Sequence, residues 1–153
     1  MIKRIAASHE SRAHLAEELV QDIYFAIWQA LPAYRGDSSI KTFIARIATY
    51  RCITHVVQAL KVPPSIELTP ELCEVIPSHS DNPETHAIEL DRSVRLATTV
   101  RSLPLAYRQT ALLALEGLTP KEIADVMGIS TNAVSIRMTR AKELLRQLMG
   151  DKP

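Results

Sequence analysis

Residues 119–142 read TPKEIADVMGISTNAVSIRMTRAK, and this stretch decides how the C-terminal half folds. Thr119 is a good N-cap, Pro120 suits the first helical position, and Glu122 can close a capping box. Ile123, Ala124 and Met127 give the short helix that follows one apolar face, with Ala124 small where a crossing helix must come close. Gly128 can adopt the left-handed conformation that ends a helix. Ile129 then anchors the turn, and Ser130 caps a second helix. In that helix Val134, Met138, Ala141, Leu145 and Leu148 recur at i, i+4, i+7, i+11 and i+14, which predicts one buried stripe. The other side carries Asn132, Ser135, Arg137, Thr139 and Arg140, hydrogen-bonding and cationic groups of the kind that read base edges and phosphates. A plain αα-hairpin would share the two helices. It would not require a capping box, a small crossing residue, a turn glycine and a two-sided second helix together. The stretch therefore predicts a helix-turn-helix that binds DNA.

The whole chain has 153 residues, enough for one domain of ordinary size or two small ones. Hydrophobic residues make up 46%, which argues against wholesale disorder, and aromatics only 5%, so aliphatic helix packing must dominate the core. No apolar run is long enough to span a membrane, and Lys3 and Arg4 are not followed by the apolar segment of a signal peptide. A cytoplasmic protein with no membrane insertion is expected. The two cysteines, Cys52 and Cys73, fall in a predicted helix and a predicted linker, and two reduced thiols are expected rather than a disulfide. The four glycines, Gly36, Gly117, Gly128 and Gly150, each stand where a helix should end. None belongs to a Gly-rich loop, which excludes a P-loop or a dinucleotide fingerprint. No strand periodicity stands out, so the fold class is all-α.

The net charge of +1 says little, but its distribution is uneven. Residues 31–61 hold Arg35, Lys41, Arg46, Arg51 and Lys61 against Asp37, and residues 130–149 hold Arg137, Arg140, Lys142 and Arg146 against Glu143. Between them, residues 62–91 carry seven acids and no lysine or arginine. Pro63, Pro64, Pro70, Pro77 and Pro83 forbid a long helix there. The expected architecture is two small helical domains, 1–61 and 91–150, joined by a Pro-rich acidic linker at 62–90. In the first, Leu15, Leu19, Ile23 and Ile27 recur every four residues along a helix from about His14 to Ala30, which Pro32 ends. The loop AYRGDSS follows, and Ser38 or Ser39 caps a second helix bearing Ile40, Phe43, Ile44, Ile47, Ile53, Val57 and Leu60. In the second domain a helix from about Glu84 to Ser102 precedes one from Tyr107 to Leu115.

Two blocks now resemble a known family. HLAEELVQDIYFAIWQALPAYRGDSSIKTFIARIATYRCITHVV (14–57) is similar to region 2 of the extracytoplasmic-function (ECF) sigma factors, small sigma-70-type specificity subunits of bacterial RNA polymerase. LPLAYRQTALLALEGLTPKEIADVMGISTNAVSIRMTRAKELL (103–145) is similar to their region 4. The blocks stand in the family's order. The resemblance implies core RNA polymerase, through its large-subunit clamp helices and its flap, and promoter DNA as partners, with an anti-sigma factor as a regulator. It implies no cofactor.

The resemblance also distributes roles. Glu18, Leu19, Gln21, Asp22 and Trp28 match the segment that docks on the clamp helices. Glu18, Gln21 and Asp22 fall at i, i+3 and i+4, an acid–amide–acid patch suited to a basic partner, although a solvated helix face has the same pattern. Tyr34, Arg35, Asp37, Ser38 and Ser39 match the loop that captures a flipped base of the −10 element, with Tyr34 able to supply an aromatic wall. Lys41, Arg46, Tyr50 and Arg51 match the helix surface along the −10 strands, where a core tyrosine is the other reading of Tyr50. Thr131, Asn132, Ser135, Ile136, Thr139 and Arg140 match the surface that approaches the −35 element, with Arg137 and Lys142 as phosphate contacts. The family often has a basic residue followed by serine where this chain has Ser135-Ile136, which leaves fewer charged donors to read guanine and sets Ile136 where it can touch a thymine methyl. Few residues precede the docking helix, where members carry a fuller first helix, so a reduced packing surface is expected in region 2.

The rival readings are a helix-turn-helix regulator with an N-terminal sensing or partner-binding domain, and a protein that sequesters a regulator. Neither needs the 14–57 block. An enzyme is not expected. The five histidines form no HExxH motif, and Cys73 and His79 lack the spaced partners of a zinc site.

Overall fold

The computed structural model describes residues 1–60 and 92–150, and among these every regular element is helical. In chain order they are α1 (Ile2–Ala7), α2 (Ala13–Ala30), a 3-10 turn (Leu31–Ala33), α3 (Ile40–Ala59), α4 (Arg92–Arg101), α5 (Leu105–Leu115), α6 (Pro120–Met127) and α7 (Thr131–Met149). The Pro-rich acidic linker, with Cys73 and His79, lies outside the described residues, as does the start of the helix expected from Glu84.

The N-terminal half is built on α2 and α3. Leu19, Ile23 and Ile27 of α2 are buried against Ala48 and Cys52 of α3, as the four-residue period requires. Ser39 caps α3, its Oγ accepting from the Thr42 amide at 3.1 Å. The first residues contribute more than the sequence suggested. They form α1, whose Ile5 (2% exposed) and Ala6 (0%) join the same core. Cys52 is a buried free thiol, and burial pushes its pKa up to about 12, so it packs as a small apolar group.

In the C-terminal half the local rules hold in detail. Thr119 Oγ1 accepts from the Glu122 amide at 3.3 Å, and Glu122 Oε2 accepts from the Thr119 amide at 2.8 Å, completing the capping box of α6. Gly128 ends α6 at φ +66°, and Ser130 Oγ caps α7 by accepting from the Ala133 amide at 3.1 Å. Val134 and Ala141 are fully buried, with Met138 and Leu145 half-buried. Leu148 departs from the expected stripe and is 54% exposed. At about 100° per residue the stripe has drifted about 40° by that position, and so close to the helix end the neighbouring helices no longer cover it.

The two halves pack on each other. Ala45 of α3 is wholly buried among Leu118, Ile123, Ala124, Val126 and Val134, and Val56 of α3 packs with Leu105 and Ala106 of α5. Polar contacts frame this seam. Arg4 makes a two-pronged ion pair with Glu116, both nitrogen–oxygen distances 2.6 Å. Thr42 Oγ1 donates to Glu122 Oε1 at 3.3 Å, Arg46 Nη2 to the Asp125 carbonyl at 3.1 Å, and Arg101 Nη1 to the Ala7 carbonyl at 3.2 Å. Each half also keeps a core of its own, around Ile23 in the first and around Leu103, Ala111 and Ala141 in the second.

Candidate nucleic-acid interface

α7 presents its outer face because α5 and α6 cover the inner one. Thr131, Asn132, Ser135, Ile136, Thr139, Arg140 and Lys142 are all exposed. Arg137 is not. It is 5% exposed and cannot serve as the outward phosphate contact expected from the sequence. The reason is angular. Arg137 lies only about 60° around the helix from Val134, at the margin of the buried stripe, whereas Ile136 lies about 160° away. Several polar groups on the outer face are already engaged within the helix. Ser135 Oγ donates to the Thr131 carbonyl and Thr139 Oγ1 to the Ser135 carbonyl, each at 3.1 Å, and Arg140 pairs with Glu143 at 3.2 Å.

The residues matched to the −10 element occupy the turn after α2 and the outer side of α3. Arg35 and Asp37 are exposed in the loop. Tyr34 braces that loop, its hydroxyl donating to the Ser38 carbonyl at 2.6 Å and its ring tilted against Phe43 with centroids 4.8 Å apart. Ser39 is committed to capping α3. Tyr50 is 63% exposed, which excludes the core reading of that residue. Arg46 and Lys41 are exposed but lie at the seam, Arg46 bonded to Asp125 and Lys41 Nζ beside Gly117.

On α2, Glu18, Gln21, Asp22 and Trp28 face outward, Trp28 with 76% exposure. Leu19 does not. It is 4% exposed inside the N-terminal core, because it belongs to the very stripe that holds α2 in place. Asp22 Oδ2 pairs with Arg51 Nη1 at 3.6 Å, so an acid matched to polymerase docking and a cation matched to DNA neutralise each other. Tyr24, Phe25 and Leu31 are also exposed beside Trp28, an apolar patch the sequence reading did not single out. The signal was present. Once Leu15, Leu19, Ile23 and Ile27 define the buried stripe, residues 24, 25 and 28 must fall on the other face.

Comparison with known proteins fits this layout. The family described as Sigma-70 region 2 matches residues 1–60, and Sigma-70, region 4 matches residues 93–145. The chain belongs to the sigma-70 family. The ECF RNA polymerase sigma factor SigG of Mycobacterium tuberculosis is 33% identical, covering 87% of this chain and 41% of that protein. The ECF RNA polymerase sigma-E factor of Escherichia coli is 29% identical, covering 84% of this chain and 70% of that protein. The RNA polymerase sigma-H factor of Pseudomonas aeruginosa is 29% identical, covering 87% and 72%. These relatives put the chain in the ECF group, and it spans less than half the length of SigG. Two solved structures share the fold. The sigma factor RpoE in complex with the anti-sigma factor NepR from Bartonella quintana has a TM-score of 0.68 at 17% identity, covering 99% of this chain and 91% of that one. CnrH in complex with the cytosolic domain of CnrY has 0.66 at 22%, covering 99% and 82%. In these terms α1–α3 are region 2 and α4–α7 are region 4. No helix among the described residues is long and apolar enough to cross a membrane.

Proposed function

We propose that this chain is an ECF sigma factor that directs promoter-specific transcription initiation as a subunit of bacterial RNA polymerase. Residues 1–61 dock on the polymerase and hold the separated strands of the −10 element. Residues 91–150 read the −35 element through α7. The observation that carries this reading is the pairing, in one chain and in family order, of region 2 with a region 4 whose capped α7 turns Asn132, Ser135, Ile136, Thr139 and Arg140 outward. The work is differential binding, in which unpaired bases are captured and the melted state favoured. No covalent step or cofactor enters it, and the chain acts in the cytoplasm. An anti-sigma protein that withholds the chain from polymerase completes the partner set.

The division of labour gives the test. Asp22→Lys should weaken binding to core polymerase by about tenfold, since it reverses a charge on the docking face. Arg140→Ala should leave that affinity nearly unchanged and cost about 1–3 kcal/mol in −35 recognition. Equal losses of both activities in both variants would contradict the assignment of separate docking and reading faces.

A further inference from the structure

We infer that Ile136 is a specificity determinant of the −35 element, selecting a base pair by the methyl group of its thymine. This rests on the function proposed above. Ile136 is 57% exposed and lies about 160° around α7 from the buried Val134, as Asn132 does on the other side, so these two point most directly away from the protein and Ile136 is the apolar one of the pair. Asn132 precedes it by four residues, and Thr139 and Arg140 follow by three and four, so it sits at the centre of the exposed face. A branched aliphatic group at the centre of a groove-facing helix cannot pair with a base oxygen or nitrogen. Set against guanine O6 and N7 it would strip water from both without replacing their hydrogen bonds. Against the thymine C5-methyl the same contact is favourable, and the methyl is the bulkiest apolar group in the major groove.

The neighbours strengthen the case by what they withhold. The Ser135 and Thr139 hydroxyl protons are directed to carbonyls of their own helix, and the Arg137 guanidinium is buried. The centre of the face is therefore poor in donors for guanine. Its distinguishing group is the Ile136 side chain, flanked by the Asn132 amide and the Arg140 cation.

The experiment uses holoenzyme assembled from the full chain and core polymerase. A −35 element is first selected from a pool of duplexes randomised in that region. Each thymine of the selected element, on either strand, is then replaced singly by deoxyuridine, which removes the methyl and nothing else. One position should lose about fourfold in promoter binding with the wild-type chain, the effect of one buried methyl group. Holoenzyme carrying Ile136→Ala should be indifferent to the same replacement. A selected element made only of G·C pairs, deoxyuridine tolerated at every position, or equal sensitivity in Ile136→Ala would each overturn the inference. Failure to select any element would instead remove the function proposed above, and this inference with it.

Discussion

His9 shows how one buried ring ties stability to pH. Its Nδ1 donates to the Ile5 carbonyl at 2.8 Å, which leaves Nε2 as a bare acceptor buried without a partner. Burial, then the nearby Arg108 charge, hold the pKa down at about 3 against an ordinary 6.5. The unfolded chain therefore takes up a proton first. Stability is intact above pH 6.5 and falls as pH drops toward 3, by up to about 1.4 kcal/mol per unit. Glu10 acts in the same direction but at lower pH. Burial would raise its pKa, yet hydrogen bonds from Arg12 and His55 outweigh that and hold it at about 2. Urea melts at pH 7 and pH 5.5 should show wild type losing about 1 kcal/mol, while His9→Asn, which keeps a donor for Ile5 but cannot titrate, loses much less. The same loss in both would remove His9 as the source. None of this was legible in the sequence, where His9 is an unremarked polar residue near the start. Its burial depends on what the end of α1 packs against, which no local pattern announces, whereas the burial of Leu19 and Arg137 follows from their angles on α2 and α7.

Among the elements, those governed by short-range rules were read from the sequence and those governed by contact were not. The caps at Ser39, Thr119 and Ser130 and the left-handed Gly128 follow from residues a few positions apart, and each appears where expected. Thr119→Ala should cost about 1 kcal/mol, measured by thermal or urea unfolding, because it releases one half of the capping box. Gly128→Ala should cost a similar amount for a different reason. Nothing lies within 4 Å of the added Cβ, so the penalty is the backbone strain of φ +66° alone. A neutral result at Gly128 would mean that the turn relaxes at no cost. The helical character of α1 was missed because six residues show too little periodicity to declare a buried face. Leu148 was misplaced because the stripe continues in sequence after its covering helices have ended.

At the scale of the whole molecule the two basic halves were legible, but not the seam between them. That seam joins Ala45, Thr42 and Arg46 of α3 to the α6 surface, residues separated by about eighty positions. Under the proposed function, α3 receives DNA on a face that α6 now partly covers, so regions 2 and 4 must part on the polymerase. Ala45→Glu, which buries a carboxylate among Leu118, Ile123 and Ala124, should enlarge the radius of gyration seen by small-angle scattering and leave helical circular dichroism intact, since each half keeps its own core. An unchanged radius would contradict the role of this contact in holding the halves together. If the chain confers promoter choice on polymerase as proposed, run-off transcription reconstituted from purified core enzyme, this chain and a template bearing its promoter will show it. A defined transcript is expected when both proteins are present and none when either is left out. A chain that occupies its DNA site alone, as a dimer, and yields no transcript with core enzyme would contradict it.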